Sequence, residues 1–201
     1  MKINKIKFLG AMFFITLLMD VVPSFGFIRI GAISITNMHI PVILTSIVLG
    51  PLEGMLVGAL FGIISLARAV SRQSTVLDML LQNPLISVLP RLCLPLVSGY
   101  FYRLISKVLP RKNYEFIRLT ATSIVGASTN CLMVMGALYL VNSQELMDIF
   151  ALSHVSQLPT ALLKALGPNM AVESLFCALA CILVMSALKK YCAGQESSHC
   201  V

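Results

Sequence analysis

Residues 49–66 read LGPLEGMLVGALFGIISL. Within this apolar run Gly50, Gly54, Gly58 and Gly62 recur at every fourth position. At 3.6 residues per turn this spacing predicts four glycines on one helix face. In water, each would cost a helix about 1 kcal/mol relative to alanine. Close approach of a second helix offsets that cost, and small residues spaced by four are the usual device for it in membranes. The stretch therefore predicts a tightly packed membrane bundle, with function carried by the few polar groups buried inside it.

Composition agrees. The chain has 201 residues, of which 58% are hydrophobic and 11% charged. Soluble proteins carry about 25% charged residues. One crossing takes about 20 residues, so six crossings with short loops fill the chain and leave no space for a soluble catalytic domain. The expected organisation is an all-α bundle of six transmembrane helices over 1–190, followed by a short cytoplasmic tail, 191–201.

The net charge of +7 is not a nucleic-acid signature, because its placement follows the positive-inside rule. Lys2, Lys5 and Lys7 precede the first apolar run, Arg103, Lys107, Arg111, Lys112 and Arg118 lie in and around one middle loop, and Lys189 and Lys190 follow the last run. With six spans and both termini inside, these ten share the cytoplasmic side. Arg29, Arg68, Arg72 and Lys164 fall in the opposite loops. The six cysteines have no metal or disulfide spacing. Cys93, Cys131, Cys177 and Cys181 sit in apolar runs as small hydrophobes, and Cys192 and Cys200 belong to the inside tail. No cofactor or metal site is expected.

The spans are read as follows. Span one covers about 6–25. A Gly- and Ile-rich outside loop, 26–37, leads to the short apolar run 39–49. Gly50-Pro51 forms an inside turn, and the glycine-striped span ends near Ala69. After a polar loop, Asn83-Pro84 is a strong helix start, with asparagine as N-cap and proline first in the helix. That span ends near Leu104. Span five covers about 116–141. Residues 142–166 form a long outside segment with a short interfacial helix, and span six covers about 167–188.

One arginine remains inside a span. Arg91 lies about 12 Å below the outer start of its helix at 1.5 Å per residue. Such a residue costs about 2.5–3.5 kcal/mol to insert and commonly marks a pathway or a site. Asn83, Ser87 and Arg91 are spaced by four and form one polar stripe. Pro95 cannot donate to the Arg91 carbonyl, so a kink is expected there. Asn169 and Glu173 are also four apart, with Glu173 about 10 Å deep, and Asn130 lies about 16 Å deep in span five. Arg91, Glu173 and Asn130 thus reach similar depths from three helices. Two readings stand: an outward-facing pocket for a polar solute, or an Arg91–Glu173 ion pair serving packing alone. His39 opens span two on the same side and is a further ligand candidate. Asp20 reads as interfacial and Glu53 as an acid at a helix N-terminus. There is no G-x-x-x-x-G-K-[ST], H-E-x-x-H or G-x-S-x-G, so no catalytic residues are assigned and no enzyme activity is expected.

The run from Phe25 to Leu66, FGFIRIGAISITNMHIPVILTSIVLGPLEGMLVGALFGIISL, resembles the S components of energy-coupling factor (ECF) vitamin transporters. The pantothenate-type group is the most similar. NPLISVLPRL at 83–92, GASTNCLMVMGALYL at 126–140 and GPNMAVESL at 167–175 extend the resemblance in order. It implies a multi-pass protein of the bacterial cell membrane that binds a vitamin or related micronutrient outside. It also implies partners: a coupling membrane protein and two cytoplasmic ATPase subunits, which would hydrolyse the ATP. Substrate contacts would come from Arg91, Asn83, Asn130, Asn169, Glu173 and His39. Family members often carry Ala-x-x-x-Ala in helix one for docking. This chain has Gly10, Ala11, Phe14 and Ile15 there, which leaves Gly10 and Ala11 as docking candidates. Riboflavin, folate or a queuosine precursor are alternative substrates. A stand-alone secondary transporter, with Glu173 carrying a proton, is the alternative class, disfavoured by the absence of an inverted repeat.

Overall fold

A computed structural model of the protein describes residues 4–22, 27–30, 33–71 and 79–198. For residues 27–30, 33–35, 112 and 191–198 only the backbone is described. Lys2, Arg72, His199 and Cys200 lie outside the described residues. The elements are α1 (Lys5–Val21), β1 (Phe27–Ile30), β2 (Ile33–Thr36), α2 (His39–Val48), α3 (Pro51–Ser71), α4 (Pro84–Ser87), α5 (Leu89–Val108), α6 (Glu115–Val141), α7 (Ser143–Phe150) and α8 (Leu158–Ser198). Single 3-10 turns, Lys112–Tyr114 and Val155–Gln157, precede α6 and α8.

Among the described residues, four helical segments are long and apolar enough to cross a membrane: Pro51–Ser71, Pro84–Val108, Glu115–Val141 and Val155–Lys190. Large apolar side chains point outward along them, Leu140 at 80% exposure and Leu183 at 70% among them. In water such a surface would drive aggregation; facing lipid it is the expected solvent contact. α2 differs. It has only ten residues, and His39 and the run from Pro41 to Ser46 are buried. It is a core helix enclosed by α1, α3, α5, α6 and α8. Its hydroxyls are satisfied locally: Thr45 Oγ1 donates to the Pro41 carbonyl at 2.6 Å, and Ser46 Oγ lies 2.8 Å from the Ile43 carbonyl and 3.0 Å from Ser98 Oγ.

The glycine face is confirmed and refined. A Cβ on Gly54 would stand 2.7 Å from Ser46 Cβ and 2.9 Å from Pro95 Cβ, and one on Gly62 would stand 3.0 Å from Val88 Cα. A Cβ on Gly58 would run into the Arg91 carbonyl oxygen. The three glycines let α3 lie directly on the α4–α5 backbone. Gly50 is not part of this face. It precedes α3 with φ +133, a conformation that L side chains rarely adopt, beside Glu53 and Arg103. Its role is the turn between α2 and α3.

Three sequence expectations change. The 26–37 loop contains an antiparallel hairpin, β1 paired with β2 from Phe27↔Thr36 to Ile30↔Ile33, so the bundle carries one small sheet. The fourth span is not one continuous helix: it is broken at Val88, one turn before Arg91, while α5 continues through Pro95. Pro90 is the cause: it lacks the N–H that would bond the Ile86 carbonyl. Finally, span six does not begin at Gly167. α8 starts at Leu158 and runs through Pro168 for 41 residues. Pro168 forfeits only the bond to the Lys164 carbonyl, and Lys164 is exposed, so water can satisfy that group. At 1.5 Å per residue α8 is about 60 Å long, well beyond the roughly 30 Å hydrocarbon core.

Two apolar clusters hold the bundle. One, around Val42, Ile43, Phe61, Leu94 and Cys181, joins α2, α3, α5 and α8. The other, around Ile86, Leu138, Leu146, Leu158 and Leu162, joins α4, α6, α7 and α8. Among the cysteines at 93, 131, 177 and 181 there is no disulfide.

Candidate functional site

The site is built around Phe61 of α3, which is fully buried. The His39 ring meets it edge-on, with centroids 5.4 Å apart at 83°. The Arg91 guanidinium lies over the same ring, 5.3 Å from its centroid, a cation–π contact. One aromatic thus joins the first residue of α2 to the buried cation of α5.

Arg91 is only 7% exposed. Its Nη1 donates to the Ile86 carbonyl at 3.0 Å, and its Nη2 donates to Ser65 Oγ at 3.2 Å. The first bond closes the local argument: Pro90 frees the Ile86 carbonyl, and the guanidinium takes it. Nε of Arg91 is buried without a hydrogen-bond partner. His39 Nδ1 lies 2.9 Å from the Thr36 carbonyl. A carbonyl only accepts, so Nδ1 carries the proton. Nε2 is then left buried and without a partner. Asn130, 6% exposed, likewise has a buried Oδ1 without a partner. Native structures leave few buried polar groups unmatched, and each costs about 1–3 kcal/mol.

Glu173 is not in a direct ion pair with Arg91. Among the described residues the ion pairs are Lys5–Glu53, Asp20–Arg68 and Lys189–Glu115. Oε1 of Glu173 instead accepts from the Thr36 backbone N–H at 2.8 Å, tying the end of β2 to α8.

His39 and Arg91 thus meet on Phe61, and Thr36 links His39 to Glu173; Asn130 is buried in α6. Asn83 is otherwise engaged. As N-cap of α4 its Oδ1 accepts from Leu85 N at 3.0 Å, and the break at Val88 interrupts the stripe joining it to Arg91. Asn169 stands half-buried one turn before Glu173. Gly10 and Ala11 lie on the exposed side of α1, and a Cβ on Gly10 would meet nothing within 4 Å. Sequence reasoning missed Phe61 and Ser65. Both lie on α3, four residues apart, interleaved with the glycine face, and that interleaving was the available signal.

The described residues offer a buried donor without a partner, Arg91 Nε–H, and two buried acceptors without one, His39 Nε2 and Asn130 Oδ1. Such a set suits a small polar solute with an acidic group. Comparison with known proteins gives the family. Residues 5–185 match the family model described as ECF transporter, substrate-specific component. Over 120 residues the chain is 30% identical to the pantothenate transporter PanT of Leuconostoc mesenteroides subsp. mesenteroides, an alignment covering 56% of this chain and 57% of that protein. The matched region is thus somewhat over half of that relative. With the match spanning nearly the whole helical bundle, the chain belongs to the family of ECF transporter substrate-specific components, multi-pass cell-membrane proteins that act as transport subunits.

Proposed function

We propose that this protein captures a carboxylate-bearing vitamin, pantothenate as the first candidate, at the outer side of the membrane and delivers it inward with an ATP-hydrolysing partner module. The observation that carries the reading is the group of unmatched buried polar atoms at Arg91, His39 and Asn130. A ligand carboxylate would take Arg91 Nε–H as a charge-assisted bond, and ligand hydroxyl and amide N–H groups would donate to His39 Nε2 and Asn130 Oδ1. The likeness to a pantothenate transporter supports the same class. Asn169 and Glu173, four residues apart on α8, would be further ligand contacts, and Asn83 contributes by fixing the start of α4.

In this reading α1, α3, α4–α5, α6 and α8 cross the membrane, the short enclosed α2 together with the hairpin before it makes the sixth crossing, and both termini are cytoplasmic. Gly10 and Ala11 would meet the coupling membrane protein, which bears two cytoplasmic ATPase subunits. The test is isothermal titration of the detergent-solubilised chain with pantothenate, alongside mass spectrometry of co-purified small molecules. Saturable binding of pantothenate, or recovery of another carboxylate vitamin, is expected. Recovery of an uncharged ligand with no pantothenate binding would overturn the substrate class.

A further inference from the structure

A second feature lies at the opposite end of the bundle from the site. The starts of α1 and α3 meet there through Lys5 and Glu53, and the end of α8 meets the start of α6 through Lys189 and Glu115. Between α6 and α8 at this end runs a groove of about 150 Å³. Its floor is Phe116, Leu119, Ile182 and Met185; its rim carries Glu115, Ser186 and Lys189. Glu115 is the first residue of α6, and Lys189 and Lys190 directly follow the apolar run of α8. The groove therefore straddles a membrane–water boundary, apolar inward and charged outward. Phe116 is 60% exposed at that level, where aromatic side chains favour the headgroup layer.

The charged lining of the groove is the Glu115–Lys189 pair, and further cations stand close to it in the chain. Lys190 is exposed next to Lys189, and Arg111 is exposed just before α6. Arg118, within the first turn of α6, has a buried Nε without a hydrogen-bond partner. Glu115 is the one acid on the rim, and it is engaged by Lys189. A protein partner would meet an apolar slot with further cations close to it in the chain. A lipid with an anionic headgroup matches both parts, since basic pockets between membrane helices at this boundary recognise such headgroups.

We propose that this groove holds an anionic phospholipid, one acyl chain along Phe116, Leu119, Ile182 and Met185 and its phosphodiester beside Lys189, within the positive field of Lys190 and Arg118. The Glu115–Lys189 pair is then a competitor: the carboxylate occupies the ammonium that the phosphodiester would take.

Native mass spectrometry of the detergent-solubilised full chain, titrated with dioleoyl phosphatidylglycerol or dioleoyl phosphatidylcholine, tests this. One phosphatidylglycerol should be retained in preference to phosphatidylcholine, and millimolar inorganic phosphate should not displace it, because the acyl chain contributes to binding. Lys189→Gln should weaken retention about fivefold, the effect of one basic residue near an anionic surface, whereas Lys189→Arg should retain it. Glu115→Gln should strengthen retention by freeing Lys189, an effect opposite to that of merely damaging the helix contact. Equal retention of the two lipids, or weaker retention in Glu115→Gln with an unchanged melting temperature, overturns the proposal.

Discussion

The backbone carbonyl of Arg91 occupies the space that a Cβ on Gly58 would need. Two prolines explain how this comes about. Pro95 has no N–H to offer that carbonyl, and Pro90 has none for the carbonyl of Ile86. One freed carbonyl is laid against the glycine face of α3; the other receives the Arg91 guanidinium. The glycine stripe and the buried arginine, separate features in the sequence, are one device in space. Gly58 lets α3 approach closely enough for Phe61 and Ser65 to reach the guanidinium.

Substitutions along this face should therefore rank by what a side chain would strike. Gly58→Ala should lower the melting temperature of the solubilised protein more than any other single glycine-to-alanine change in α1 or α3, because the obstacle is backbone and cannot rotate away. Gly58→Leu should be worse, and both should exceed the half-buried Leu60→Ala. Gly10→Ala should be neutral or slightly stabilising, since a Cβ there meets nothing within 4 Å and alanine is the better helix former by about 1 kcal/mol. Equal melting temperatures for Gly58→Ala and Gly10→Ala would contradict the arrangement.

Local features were legible in the sequence because they depend on neighbours in the chain. The Asn83-Pro84 start and the limits of α6 were read within a residue or so of where they stand. The spacing of Gly54, Gly58 and Gly62 announced a contact face. What could not be read is what lay across each contact. Phe61 resembles any core aromatic until His39 and Arg91 are placed on it. Glu173 looked like a counter-ion for Arg91, but its partner, the Thr36 amide, depends on a hairpin whose polar contact is backbone and so leaves little mark in side-chain pattern. The break at Val88 was missed for a related reason. Pro90 and Pro95 both free a carbonyl, and only the tertiary acceptor or donor nearby decides where the helix opens.

The Glu173–Thr36 bond yields a second prediction. Glu173→Gln keeps a side-chain carbonyl that can accept from Thr36 N–H, whereas Glu173→Ala leaves none. Hydrogen exchange of the Thr36 amide should accelerate strongly in the alanine variant and little in the glutamine variant. If the two exchange alike, the carboxylate acts at this position through charge and not through the bond.

Topology gives the third. With six spans and both termini inside, positions 112 and 157 fall on opposite sides of the membrane. Single cysteines at Lys112 and Gln157, introduced after the six native cysteines are replaced, should react with a membrane-impermeant maleimide from the cytoplasmic and outer faces respectively. Labelling of both from one face would remove the six-span arrangement and leave the helix count to be redrawn around α1 and α2, the two shortest candidates.

The last concerns Arg91 itself. Arg91→Ala should weaken binding of a carboxylate ligand by about tenfold to more than a hundredfold, the range expected for losing a charge-assisted contact of about 1.5–3 kcal/mol. Lysine should rescue only in part. It has no planar fork with which to hold the Ile86 carbonyl and Ser65 while also meeting a ligand. A structural role alone makes a different forecast. If Arg91 served only to balance Glu173, Arg91→Met with Glu173→Met would restore folding and binding together. The geometry argues otherwise: Arg91 is held by Ile86, Ser65 and Phe61, and Glu173 by Thr36. The double variant should therefore stay defective in carboxylate binding, whatever its melting temperature. Binding restored to the level of the unmodified protein would show that the ligand sits elsewhere.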